Sequence, residues 1–283
     1  MSCDDECGLI SRRRALALGL FGTGTFALRG TAAAASATAP TTIPISDEAK
    51  QRAKAYDGMA PTKWGLAVPG VITRINTKKR VLALTFDACG GQNGSGIDEQ
   101  LIGLLRQEKI KATLFLNGRW IDRNPKYTAE LARDPLFELE NHGWRHRPLS
   151  TTGQEAYGIR GTTSAAEVVD EVLMNHRTLA QITGVEPRFF RPGTAFCDEV
   201  AVKIVRDLGE RVVGFTMNAD AGATSPTRAV ISTVEAAKAG DISIGHFNRP
   251  KGSTFEGFAT AIPALKAAGF TFVKLAEVSE LLV

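Results

Sequence analysis

The 283 residues carry 34 Lys and Arg against 30 Asp and Glu, a net charge of +4, with 43% hydrophobic and 23% charged side chains. That mix excludes a disordered chain, a collagen-like repeat and a disulfide scaffold, and no basic patch, RNP pattern or zinc-finger spacing points to nucleic acid. The length suits one large α/β domain or two small ones.

In chain order, Arg12, Arg13 and Arg14 precede an apolar run over 15–28 that ends in small residues at 31–37. A positive n-region, a short apolar h-region and an Ala-x-Ala exit form a signal peptide. The paired arginines point to the twin-arginine route, so 1–39 is expected to be a leader and the mature chain exported to the periplasm, cell wall or medium. The run is too short and weakly apolar for stable membrane insertion. Cys3 and Cys7 leave with the leader, and Cys89 and Cys197 remain. Residues 40–75 read as a polar linker and N-terminal extension with one short helix, and 76–283 as the folded domain.

The domain alternates strand and helix signals. Strands are predicted over 81–86, 112–116, 136–140, 188–190, 211–217, 241–245 and 271–274. Helices follow over 96–108, 124–133, 165–183, 199–208, 227–239, 258–268 and 276–282. A Gly- and Thr-rich stretch over 149–163 reads as a long loop of the kind that carries function. Repeated β–α alternation implies a parallel sheet, closed or open, with its site at the carboxyl ends of the strands.

Chemistry-bearing residues fall at those ends. Asp87 follows the first strand, His142 the third, Arg191 the fourth, Asp220 the fifth, and His246 ends the sixth. The chain has four His, and two of these strand ends carry one. His142 and His146 are four apart, so one helical turn or a tight loop can aim both imidazoles at one divalent ion. Asp87 after an apolar strand is costly unless paired or working; a helix cap is its structural alternative. Arg191 could hold Asp87 ionised or serve a structural ion pair. His246 is a catalytic acid or a satisfied core histidine. His176, mid-helix, reads as non-functional.

Taken together these segments resemble the polysaccharide deacetylases, the NodB-homology domains of carbohydrate esterase family 4. Thr85-Phe86-Asp87-Ala88-Cys89 resembles their Thr-Phe-Asp-Asp-Gly motif, His142 to His146 their His-x-x-x-His, and Arg191-Pro192-Gly193 their Arg-Pro-Pro. Asp220 falls at their fourth motif, and Ile242-x-Ile244-x-His246 resembles their Leu-x-Leu-x-His. The likeness implies a distorted (β/α)7 barrel and metal-dependent removal of N-acetyl groups from a sugar polymer. It implies a zinc ion on His142 and His146, Asp87 as general base oriented by Arg191, and His246 as general acid oriented by Asp220. The family's metal-binding Asp is replaced here by Ala88. Glu140 is a substitute ligand by strand parity, and Cys89 another as a soft thiolate. Cys89 and Cys197 follow strands that open on one face, so a disulfide between them is the favoured expectation. Trp144 and Trp120 are candidates for a sugar-stacking surface. Two further readings stand beside the hydrolase: a glycan-binding relative with a defective metal site, and an amidase acting on a small secreted compound.

Overall fold

The computed structural model describes residues 46–283; the expected leader over 1–39 and the start of the linker lie outside them. Seven strands form one sheet: β1 (Thr85–Ala88), β2 (Ala112–Leu116), β3 (Phe137–Asn141), β4 (Phe189–Phe190), β5 (Arg211–Val212), β6 (Met217–Asn218) and β7 (Ser243–His246). Their order across the sheet is β5-β4-β3-β2-β1-β7-β6 and every pairing is parallel. All residues of β1, β2 and β7 are buried. β2 (Ala-Thr-Leu-Phe-Leu) is apolar almost throughout, as suits a parallel sheet covered on both faces.

The expected strand over 211–217 is two strands, and its break closes the molecule. β5 and β6 lie on opposite edges of the sheet, yet Val212 and Met217 are five residues apart in the chain. A segment of that length reaches at most about 18 Å. The sheet must therefore curl until its edges nearly meet, giving a distorted, incompletely closed (β/α) barrel. The expected strand over 271–274 does not join it. Thr271–Phe272 pairs instead with Val81–Leu82, below β1.

Helices coat the outside of the sheet. α5 (Ala165–Thr183) has the predicted bounds because both stops are written locally. The Ser164 side chain accepts from the Glu167 N–H, and Gly184 takes a left-handed turn at φ 72°. The helix expected over 124–133 is α4 (Pro125–Ala132), with Pro at its first position. An unpredicted helix, α3 (Gly118–Arg123), precedes it and is capped by Asn117. Helix α7 is Thr227–Glu235, and α8 runs Thr254–Ala267, starting earlier than expected. The last element, Leu275–Leu281, is a 3-10 helix. Within the loop over 149–163, Glu155–Ala156 pairs antiparallel with Ile159–Arg160. Its two-residue turn, Tyr157 at φ 53° and Gly158 at φ 77°, has the positive angles a type I′ hairpin requires.

The tightest helix contact is between α7 and α8, where a Cβ added at Gly257 would overlap the Val230 side chain. Gly257→Ala is expected to destabilise the fold by about 1–3 kcal/mol through overpacking. Differential scanning calorimetry would read this as a melting temperature lowered by about 2–4 °C per kcal/mol.

Candidate active site and metal centre

Arg191 leaves β4 and turns into the barrel interior, where it is fully buried. Its Nη1 donates to Asp87 Oδ1 at 2.7 Å and to Thr85 Oγ1 at 2.7 Å. Its Nε and Nη2 donate to the carbonyls of Val213 and Gly214, at 3.2 and 2.9 Å, in the segment between β5 and β6. The guanidinium carbon lies 4.2 Å from the centre of the Phe115 ring. A carboxylate and a guanidinium without water are tolerable only when paired and hydrogen-bonded, and both conditions are met. Asp87 is thus the partner of Arg191, not a helix cap.

Asp87 and His246 are register partners on adjacent strands, so the two side chains are neighbours at the carboxyl end of the sheet. His246 Nδ1 lies 2.8 Å from Asp220 Oδ1. Asp220 Oδ2 accepts from the His246 backbone N–H at 2.7 Å and from Thr254 Oγ1 at 2.8 Å. Burial pushes the Asp220 carboxyl up, but the charge of His246 and the hydrogen bonds from His246 and Thr254 outweigh it, leaving a net shift downward. An ionised Asp220 makes Nδ1 the protonated nitrogen of His246 and leaves Nε2 as its other functional atom.

His142 and His146 converge through a tight loop rather than a helical turn. The amides on both sides of His146 are held. Asn141 Oδ1 accepts from Gly143 N, and Asn117 Nδ2 donates to the carbonyls of His142 and Gly143. The buried Glu171 of α5 accepts from Arg145 N at 2.9 Å and Arg147 N at 3.2 Å. His146 itself sits at φ 61°. A non-glycine residue held in that region at a site marks strain retained for function. Gly193 makes room for this turn, since a Cβ there would overlap the His146 carbonyl. The Gly of Arg191-Pro192-Gly193 is therefore required by the position of His146.

The ring centres of His142 and His146 are 4.7 Å apart. His142 Nδ1 lies 2.8 Å from the Arg191 carbonyl, which makes Nδ1 the donor and turns Nε2 inward as a lone pair. Nε2 is 3.6 Å from Asp87 Oδ2 and 3.9 Å from Cys89 Sγ. Burial lowers the pKa of His142 and, more strongly, that of His146. Both rings are then neutral near pH 7, the form that binds a cation. One ligand atom each from Cys89, His142 and His146 lies within 4.8 Å of the others. The donor set fits a divalent transition metal.

Other expectations are corrected. Cys89 and Cys197 form no disulfide. Cys197 pairs with Gly65 in a separate two-stranded sheet, while Cys89 faces His142. Glu140 is not directed at the cluster, because its Oε2 accepts from the backbone N–H groups of Arg188 and Phe189. Strand parity fails there because β3 ends at Asn141, before His142. Trp120 is core, fully buried with its Nε1 donating to the Gly96 carbonyl, and Trp144 packs over Gly118. Among the described residues, the exposed aromatic is Tyr157, at 50% exposure. It stands edge-on to Phe196, which in turn contacts Trp64. A cavity of about 150 Å³ joins these parts, lined among others by Cys89, His146, His246, Ile244, Tyr157 and Leu66.

With the geometry in view, the sequence model of the family described as polysaccharide deacetylase matches residues 74–213. Residues 74–213 are a domain of that family. It is 24% identical over 213 residues to a peptidoglycan-N-acetylglucosamine deacetylase of Bacillus cereus, covering 74% of this chain and 92% of that one. A carbohydrate esterase family 4 pseudoenzyme from Bacillus anthracis superposes with a TM-score of 0.62 at 24% identity, covering 75% of this chain and 69% of that one. A family 4 carbohydrate esterase from Bacillus subtilis gives 0.60 at 20% identity, covering 83% and 89%. Asp220 and His246 lie beyond the matched segment, and the fold brings them back beside it.

Behind the deacetylase site, Glu210 accepts from Asn141 Nδ2 at 2.9 Å and lies 2.8 Å from His176 Nδ1. Burial pushes the Glu210 carboxyl from 4.5 up to about 7. A folded pKa above the unfolded one stabilises the fold below the unfolded value, and the gain is lost as pH rises through the folded value. His176, raised chiefly by its hydrogen bond to Glu210, acts in the same sense. Between about pH 5 and 8 the parent is therefore expected to lose more melting temperature, or gain less, than Glu210→Gln, since the opposing effect of the buried His142 and His146 is common to both proteins. Thermal melts of the two proteins across that range would check it.

Proposed function

We propose that the mature chain is an exported, metal-dependent hydrolase that removes N-acetyl groups from an N-acetylhexosamine polysaccharide of the chitin or peptidoglycan kind. The observation that carries the reading is that two buried acid–base pairs, Asp87–Arg191 and Asp220–His246, stand beside three metal-type donors at one end of the barrel. The arginines at 12–14 before the apolar run over 15–28 support export, and no helix among the described residues is long and apolar enough to cross a membrane.

His142 and His146 would hold a divalent cation, here taken as zinc, which supplies Lewis acidity to the amide carbonyl and to the attacking water. Asp87 takes a proton from that water through the carboxylate oxygen that Arg191 leaves open. The water oxygen bonds to the acetyl carbon and the carbon–nitrogen bond breaks. His246, steadied by Asp220, protonates the departing nitrogen, which becomes the amine of the sugar. Acetate is the second product. The cavity of about 150 Å³ is large enough for an acetamido group while the sugar chain stays outside. Tyr157 at its rim presents the flat apolar face that stacks on a sugar ring.

A second reading, a glycan-binding relative without turnover, is favoured by Ala88 and by the likeness to a pseudoenzyme. It leaves both acid–base pairs without a task, and binding alone needs neither.

The purified protein with zinc is expected to release acetate from N-acetylated chitooligosaccharide or peptidoglycan. Asp87→Asn is expected to lower kcat by at least about 10³-fold, within the range for loss of a general base, with zinc content unchanged. No acetate from either polymer with zinc loaded would give the binding reading the field. Tyr157→Ala is expected to raise KM by roughly 5–30-fold, a loss of about 1–2 kcal/mol of stacking, while kcat stays near that of the parent.

A further inference from the structure

We infer that the third protein ligand of the metal is the thiolate of Cys89, so that this chain builds a Cys–His–His centre suited to zinc-like cations. The inference deepens the metal-dependent reading above and rests on it. Ala88 offers no donor atom. Asp87 Oδ2 and Cys89 Sγ, at the end of β1 and just past it, lie 3.6 and 3.9 Å from His142 Nε2. Asp87 binds Arg191 through Oδ1, its Oδ2 serves the attacking water in the proposed reaction and it falls outside the three-donor cluster, and Glu140 is held by two backbone N–H groups. Among the described residues, the cluster of three metal-type donors is Cys89, His142 and His146.

The spacing agrees with tetrahedral zinc. Bonds of about 2.3 Å to sulfur and about 2.0–2.1 Å to nitrogen put donor atoms about 3.3–3.6 Å apart. The Cys89 Sγ to His142 Nε2 separation is 3.9 Å, and the widest separation in the cluster stays under 4.8 Å. Small side-chain movements close that gap. His142 already donates Nδ1 to the Arg191 carbonyl, the outer contact that orients a metal-binding imidazole. The remaining coordination position opens on the cavity that Cys89, His146 and His246 line, as a catalytic site requires. A thiolate with two imidazoles favours zinc, cobalt or cadmium over magnesium or manganese.

The test is spectroscopic and does not depend on turnover. Metal-free full chain is titrated with cobalt(II) and its near-ultraviolet absorption followed. A thiolate-to-cobalt charge-transfer band is expected in the parent and in Cys197→Ala, and its loss is expected in Cys89→Ser. Zinc affinity of Cys89→Ser should fall by more than the ~10–100-fold that loss of an outer contact costs. Cys89→Asp should bind cobalt without the band. Cobalt bound by the parent with no such band, or a band that survives in Cys89→Ser, overturns the thiolate assignment and leaves the hydrolase reading standing. Failure of the parent to bind cobalt or zinc overturns both. A band that depends on Cys89 in a protein releasing no acetate supports the ligand assignment and defeats only the hydrolase reading.

Discussion

Arg191 joins parts of the chain that are far apart in sequence. Its guanidinium bonds to Asp87 and Thr85 on the central strand and to the carbonyls of Val213 and Gly214. Those carbonyls belong to the segment that carries the chain from one edge of the sheet to the other. The side chain therefore pins the barrel's closing segment to its catalytic strand. Its backbone carbonyl also accepts from His142 Nδ1. One residue thus sets the closure of the barrel, the position of the Asp87 carboxylate and the tautomer of His142. Removing the charge of Asp87 would leave this buried cation uncompensated, which ties fold stability to site integrity.

The metal loop shows how a strained turn is maintained. His146 occupies a left-handed backbone position, and the loop around it has no secondary structure of its own. Its amides and carbonyls are held by three buried side chains, Asn117, Asn141 and Glu171, from three different elements. An unmet buried polar group costs about 1–3 kcal/mol, so these contacts over-determine the loop. Burial pushes the Glu171 carboxyl up to about 7 even with its backbone donors. The acid is a poorly solvated group kept for the shape it imposes.

Departures from the family motifs also read as one coordinated change. Ala88 removes a carboxylate, and Cys89, next in sequence, brings a sulfur to 3.9 Å from the His142 nitrogen. Gly193 replaces a bulkier residue at the point where the His146 backbone passes. Tyr157, on a hairpin inside the long loop, supplies an aromatic at the rim of the cavity. The proposed site thus keeps its acid–base pairs and differs from the family motifs in its metal donors and its mouth.

What could be read from sequence follows from what is local. Strand–helix alternation, the bounds of α5 and the placement of Asp87, His142, Arg191, Asp220 and His246 at strand ends depend on neighbouring residues, whose periodicity and caps are written in order along the chain. The long loop over 149–163 was legible as a loop, but not the exposed Tyr157 at its tip. The break of 211–217 across opposite sheet edges, the direction of Glu140 and the partner of Cys89 were not legible. Each depends on which distant groups compete for one buried position. The apolar run over 211–217 looks the same whether it pairs as one strand or two, and curling the sheet selects two. Two cysteines on the same face look able to pair, until the folded barrel places one against Gly65 and the other against an imidazole. Composition and spacing determined the kind of scaffold and where its chemistry sits, because short-range forces write those; the identity of each group's partner was decided only by tertiary packing, because it depends on distances that the linear chain does not contain.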